Sequence, residues 1–272
     1  MALKPKDIAI RAASAGVLAP AAVLAIWGGG IWFSALVVVA GCMLALEWAR
    51  MSEPQDWRAV GIAVVGGVVA PLFAAHIGLM SLAFVLLVFG AAVAGLISHR
   101  RGGEGLDGAY GVLYLGWPCI LLIWLRDLHS SQGLYWTVLV FAVAWAADIL
   151  AYLVGSALGG PKLWPRFSPN KTWSGFIGGL LAGSAAGAIM AAWLDMGALT
   201  AVWGGVLGLA AALATMGGDL WESALKRRFG VKDAGNLIPG HGGLLDRVDG
   251  LMFAVVVVAI GRLIVLTIGG NG

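Results

Sequence analysis

The stretch from Gly217 to Gly250, GGDLWESALKRRFGVKDAGNLIPGHGGLLDRVDG, gathers more polar chemistry than any other part of the chain. Asp219, Glu222, Ser223, Lys226 and Arg227 recur at i, i+3, i+4, i+7 and i+8, so on a helix they share one face, with Leu220, Ala224 and Leu225 on the other. An acid one turn from a hydroxyl, followed by two cations, describes a surface for metal and phosphate better than a run of salt bridges. The chain then turns at Pro239-Gly240-His241-Gly242-Gly243, where glycines let backbone N–H groups approach an anion closely. It returns through Asp246-Arg247-Val248-Asp249, whose two acids at i, i+3 can face one ion. Asp219 with Asp246, and Asp249 nearby, offers the hard oxygen ligands that suit Mg²⁺. A basic loop that only meets anionic lipid headgroups would explain the cations, but not three carboxylates and five loop glycines.

A second polar stretch runs from Asp148 to Gly179. Asp148 stands among apolar neighbours, where a charge costs roughly 2.5–3.5 kcal/mol on membrane-insertion scales, and Tyr152 and Gly155 share its helical face. The bland alternative is a structural Asp paired across helices. Beyond it, Lys162, Arg166 and Lys171 alternate with turn formers and with Trp164 and Phe167. Ser168-Pro169-Asn170-Lys171-Thr172 then leads into another apolar run, and a helix N-terminus beside a lysine is a natural phosphate site. An N-cap by Thr172 or Ser174 is the simpler role for this junction, and both can hold at once.

The elements that position these residues must be membrane helices. Of 272 residues 60% are hydrophobic and 11% charged, and mean hydropathy is +0.92. Soluble domains carry about 25% charged residues, so this chain cannot clothe itself in a polar surface. Nine apolar segments span roughly 12–27, 31–48, 59–76, 78–97, 109–125, 134–158, 173–194, 199–218 and 250–268, each near the length a bilayer requires. The expected architecture is all-α, a polytopic integral membrane protein of about nine transmembrane helices, forming one domain over residues 1–272. Gly28-Gly29-Gly30 and the His76–Gly78 junction are short enough to make antiparallel helix pairs. The basic N-terminus before the first segment reads as a retained first helix.

With the N-terminus in the cytoplasm, all of the 17 Lys and Arg except Arg126 and Arg262 fall on the inside, which sets the topology and brings the loops 159–172 and 219–249 to the cytoplasmic face. The net charge of +3 is explained by this asymmetry, so no nucleic-acid partner is expected. Cys42 and Cys119 read as small hydrophobes, and His76, His99 and His129 as isolated loop-end residues. Glu47 is expected to make an interfacial pair beside Arg50, and Arg262 to snorkel or pair inside the bundle. Glycines at four-residue spacing are weak grounds for helix dimerisation at this glycine content.

The run SALKRRFGVKDAGNLIPGHGGLLDRVD, residues 223–249, resembles the signature of the phosphatidate cytidylyltransferases. Asp148, Tyr152, Gly155 and the SPNKTW segment are similar to a second block of that family, and ALEWARM, residues 45–51, fits its N-terminal part. The resemblance covers most of the chain and is strongest over 148–250. Ser174 stands where an acidic residue is anticipated. The resemblance implies transfer of CMP from CTP to phosphatidate, giving CDP-diacylglycerol and pyrophosphate, with Mg²⁺ and a second cation left open. It implies Asp219, Asp246 and Asp249 at the metal, and Lys226, Arg227 and Lys232 on the triphosphate or the leaving pyrophosphate. Ser223 and His241 would be polar contacts in the same pocket. Ser168, Asn170, Lys171 and the following helix start would hold the lipid phosphate, with Asp148 lining the cavity. The expected setting is a bacterial-type inner membrane, with a homodimer among membrane lipids and the site on the cytoplasmic face. A transporter should instead show repeat symmetry and midplane charges, whereas here the polar residues concentrate in two cytoplasmic loops and no repeat is visible. Other lipid-linked nucleotide enzymes are disfavoured, since no GxxxxGK[ST] loop occurs.

Overall fold

The computed structural model describes residues 20–53, 55–126, 131–165, 168–235, 237 and 242–269. Eight of its helices are long and apolar enough to cross a bilayer: α1 Gly30–Ser52, α2 Trp57–His76, α3 Met80–Arg100, α4 Gly105–Arg126, α5 Ser131–Leu158, α6 Trp173–Trp193, α7 Ala201–Arg228 and α8 Leu245–Gly269. The chain is an all-α, multi-pass membrane protein, as its composition requires. Of the expected first span only 20–27 is described; residues 20–28 are helical, and Gly29 alone separates them from α1. Gly29 and Gly30 have φ of 60° and 51°, a left-handed backbone that glycine adopts without steric cost.

Helix α7 is 28 residues long, about 42 Å at 1.5 Å per residue, and a hydrocarbon core is about 30 Å thick. Its surplus is the charged end from Asp219 to Arg228, so the first half of the signature prolongs a span as expected. The 159–172 segment departs from the expected loop. Lys162–Trp164 (β1) and Ser168–Thr172 (β2) pair antiparallel, Lys162 opposite Thr172 and Trp164 opposite Ser168. Pro161, Pro165 and Pro169 obscure the alternation that would have announced these strands.

Contacts divide the chain into two compact units, Met1–Trp124 with Phe229–Arg247, and Leu125–Arg228 with Val248–Gly272. In the first, Trp48 is fully buried, donates from Nε1 to the Asp107 carbonyl at 3.0 Å, and contacts the rings of Tyr110, Tyr114 and Phe229. In the second, α6 presents Gly175, Gly179, Gly183, Gly187 and Ala191 as one buried stripe. A Cβ on Gly187 would strike the Gly204 carbonyl and approach Gly208 Cα to 2.8 Å; one on Gly208 would strike the Gly183 carbonyl. These four-residue repeats thus join helices within the chain. Lipid offers little hydrophobic drive between helices, so close backbone approach must supply much of the attraction.

Replacing Gly187 by Leu therefore forces α6 and α7 apart, at a cost of about 1–3 kcal/mol or more. Its thermal unfolding midpoint in detergent should fall well below wild type. Gly66→Ala, with open space around its new Cβ, should leave the midpoint unchanged or raise it slightly.

Candidate active site

In the second unit, four elements bring charged groups together. Lys171 of β2 forms an ion pair with Asp219 of α7, and Asp148 of α5 feels both charges. One turn along α7, Glu222 is 1% exposed and pairs through Oε2 with Lys226 Nζ at 2.5 Å. Asp249 of α8 feels Asp219, Glu222 and Lys226. Two glycines permit this meeting of α7 and α8: a Cβ on Gly218 would come within 2.6 Å of the Asp249 carbonyl, and one on Gly250 within 2.8 Å of the Thr215 carbonyl. The six groups are four carboxylates against two ammonium ions. Such an excess of negative charge suits a divalent cation. The donors are hard oxygens, and Mg²⁺ takes one or two carboxylates and completes its shell with water and substrate phosphates. Among the described residues no group of three His, Cys, Asp or Glu is gathered tightly enough to cage a metal unaided.

The hairpin fixes where Lys171 sits. Thr172 caps α6, its Oγ1 accepting from the Gly175 N–H at 3.2 Å, while the Trp173 N–H donates to the Pro161 carbonyl at 3.0 Å. Two of the first N–H groups of α6 are thus already engaged. Ser174 donates to the Gly159 carbonyl. An ionised carboxylate at that position has no proton to give, so the hydroxyl here does work that an acidic residue could not. Ser168 lies half-buried on β2; Asn170 is exposed there, and its carbonyl accepts from Lys162 Nζ at 3.4 Å. On α7, Ser223 is half-buried and Arg227 exposed.

The remaining signature residues belong to the first unit. Asp246 accepts from the Gly243 N–H and the Ala234 N–H, both at 3.1 Å, so its carboxylate closes the loop on itself. Lys232 is exposed on that loop, and His241 lies outside the described residues. Glu47 corrects the expectation of an interfacial pair. It is fully buried, and its two oxygens accept from the N–H groups of Leu244 and Leu245, each at 2.8 Å. The nearby turn between α1 and α2 carries a different carboxylate, Glu53, which accepts from Ser98 Oγ at 2.5 Å. Arg262 does pair inside the bundle, donating to the Leu125 carbonyl at 2.9 Å, where it serves the C-terminus of α4. The signal for Glu47 was available: a lone acid one residue from a tryptophan at the end of an apolar run.

Residues 9–265 match the model of the cytidylyltransferase family. A phosphatidate cytidylyltransferase of Brucella abortus (strain 2308) is 42% identical over 234 residues, 84% of this chain and 83% of the relative. That of Brucella melitensis shows the same identity and coverage. The enzyme of that name from Staphylococcus aureus (strain COL) is 36% identical over 179 residues, 65% of each chain.

The two ion pairs of differing burial should respond unequally to mutation. Glu222→Ala removes the carboxylate paired with the mostly buried Lys226 ammonium and should cost about 1.5–3 kcal/mol. Arg101→Gln breaks an exposed pair with Asp56 and should cost about 0–1 kcal/mol. Thermal unfolding in detergent, followed by tryptophan fluorescence, measures both.

Proposed function

We propose that this chain, which belongs to the cytidylyltransferase family, transfers CMP from CTP to phosphatidate, giving CDP-diacylglycerol and pyrophosphate for phospholipid synthesis. The observation that carries this reading is the cluster of Asp148, Lys171, Asp219, Glu222, Lys226 and Asp249 within a unit built of membrane helices. A reaction between a water-borne nucleotide and a lipid phosphate needs charged groups of both signs at the edge of an apolar bundle.

The attacking group is a phosphate oxygen of phosphatidate. A phosphomonoester with a second pKa near 6 is largely dianionic at neutral pH, so no strong general base is required. A new bond forms from that oxygen to the α-phosphorus of CTP, and the bond from the α-phosphorus to the bridging oxygen breaks, releasing pyrophosphate with its electron pair. The obstacle is repulsion between two anions, which fixed cations offset. In this reading Lys171, paired with Asp219, would exchange that carboxylate for the lipid phosphate. In this reading Lys226, held by Glu222, and Arg227 one residue on would contact the triphosphate, with Ser223 as a neutral contact. Asp219 and Asp249 would hold Mg²⁺, which when bound supplies charge neutralisation on the phosphate oxygens. Asp246, which the resemblance also implies at the metal, accepts from backbone N–H groups of its own loop and so would also shape that loop.

The cytoplasmic placement of this cluster in an inner membrane is likewise proposed, supported by the inward bias of Lys and Arg.

Two measurements test the reading. Purified protein in mixed micelles is assayed over a matrix of CTP and phosphatidate concentrations. Lys226→Ala and Arg227→Ala should lower kcat/KM for CTP by about tenfold to a hundredfold, Lys171→Ala should raise the phosphatidate requirement, and Asp219→Asn should abolish turnover. Full activity in all four variants would sink the assignment. For orientation, Gln55→Cys and Ala198→Cys are made in a background lacking Cys42 and Cys119; both positions are exposed. An impermeant maleimide should reach residue 198 from outside intact cells, and residue 55 only after the cytoplasmic face is opened.

A further inference from the structure

Two adjacent residues at the end of α1 hold both ends of the signature loop. Trp48 meets Phe229, where the 229–247 segment begins, edge-on at 5.6 Å between ring centroids. Glu47 accepts from Leu244 and Leu245, where the segment ends. Between these anchors the fit around the Glu47 carboxylate leaves no slack. A Cβ on Gly235 would come within 2.9 Å of Glu47 Oε1, and one on Gly243 within 3.1 Å of the same atom. Asp246, also on the loop, ties residues 234 and 243 to itself. Among the described residues of the loop, two carboxylates thus hold its backbone, Asp246 from within it and Glu47 from outside it.

We infer that Glu47 is a positioning residue for nucleotide binding: it acts through the backbone at 244–245 to set the loop that carries Lys232. The inference rests on the assignment of Lys232 to the nucleotide phosphates. Chemistry explains why a carboxylate is needed. Each of its oxygens accepts from a different N–H, whereas glutamine would turn its NH₂ toward one of them, donor against donor. Burial makes that mismatch costly, because no water is at hand to relieve it.

The test compares wild type, Glu47→Gln and Gly235→Ala, the last pressing a methyl group against the Glu47 carboxylate. Both variants should raise KM for CTP by about tenfold while KM for phosphatidate stays within about twofold. Backbone amides at 244–245 should exchange hydrogen faster in both, with helix α6 unchanged. If Glu47 served stability alone, a smaller active fraction would lower kcat and leave both KM values in place; that result overturns the inference. So does unchanged exchange at 244–245. Should Glu47→Gln fail to accumulate, Glu47→Asp, which keeps the charge on a shorter stem, is read against the same outcomes. Wild type inactive on CTP and phosphatidate would refute the proposed activity instead, and the exchange measurement would still decide whether Glu47 holds the loop.

Discussion

A polar backbone group inside a hydrocarbon layer has no water to turn to, and leaving it unpaired costs several kcal/mol. Helices satisfy this demand along their length and fail it at their ends. Several described helix ends of this protein are closed by a dedicated side chain. Thr172 caps the start of α6, Ser174 serves the Gly159 carbonyl beyond α5, and Arg262 serves the end of α4. Glu47 performs the same task at the start of α8.

Much of this was legible in the sequence, because the bilayer imposes a length on apolar runs that few other constraints rival. The spans, the all-α class and the prolongation of α7 as a charged helix follow from hydropathy and from the spacing of Asp219, Glu222, Ser223, Lys226 and Arg227. What escaped was settled by partners distant in the chain. Nothing within a few residues of Glu47 hints at Leu244, 197 positions away. The face of α7 read as a metal-and-phosphate surface is also laced by ion pairs, Glu222 with Lys226 and Asp219 with Lys171, because a partly buried charge takes whichever counter-ion is nearest. The β1–β2 hairpin was hidden for another reason: two short strands broken by prolines carry too few residues for a period of two to emerge.

On the proposed reading, Lys171 would serve structure and substrate together. Held against Asp219, its ammonium is already desolvated on one side and aimed into the cluster. On that reading an arriving phosphate would replace one oxygen anion with another, so the lysine need not be stripped of water anew. Preorganisation of this kind lowers the cost of binding without adding any contact.

The glycine stripe of α6 has a mechanical corollary. Glycine has no rotamers to lose and no side chain to yield, so the seam between α6 and α7 cannot creep. Sliding one helix by a single residue would drive a methyl or larger group into a carbonyl that now faces Gly183 or Gly187. Only a four-residue step, about 6 Å, brings small residues opposite small residues again. The two helices are geared: their relative position is restricted to discrete notches, and the charged end of α7 inherits the setting of the notch it occupies.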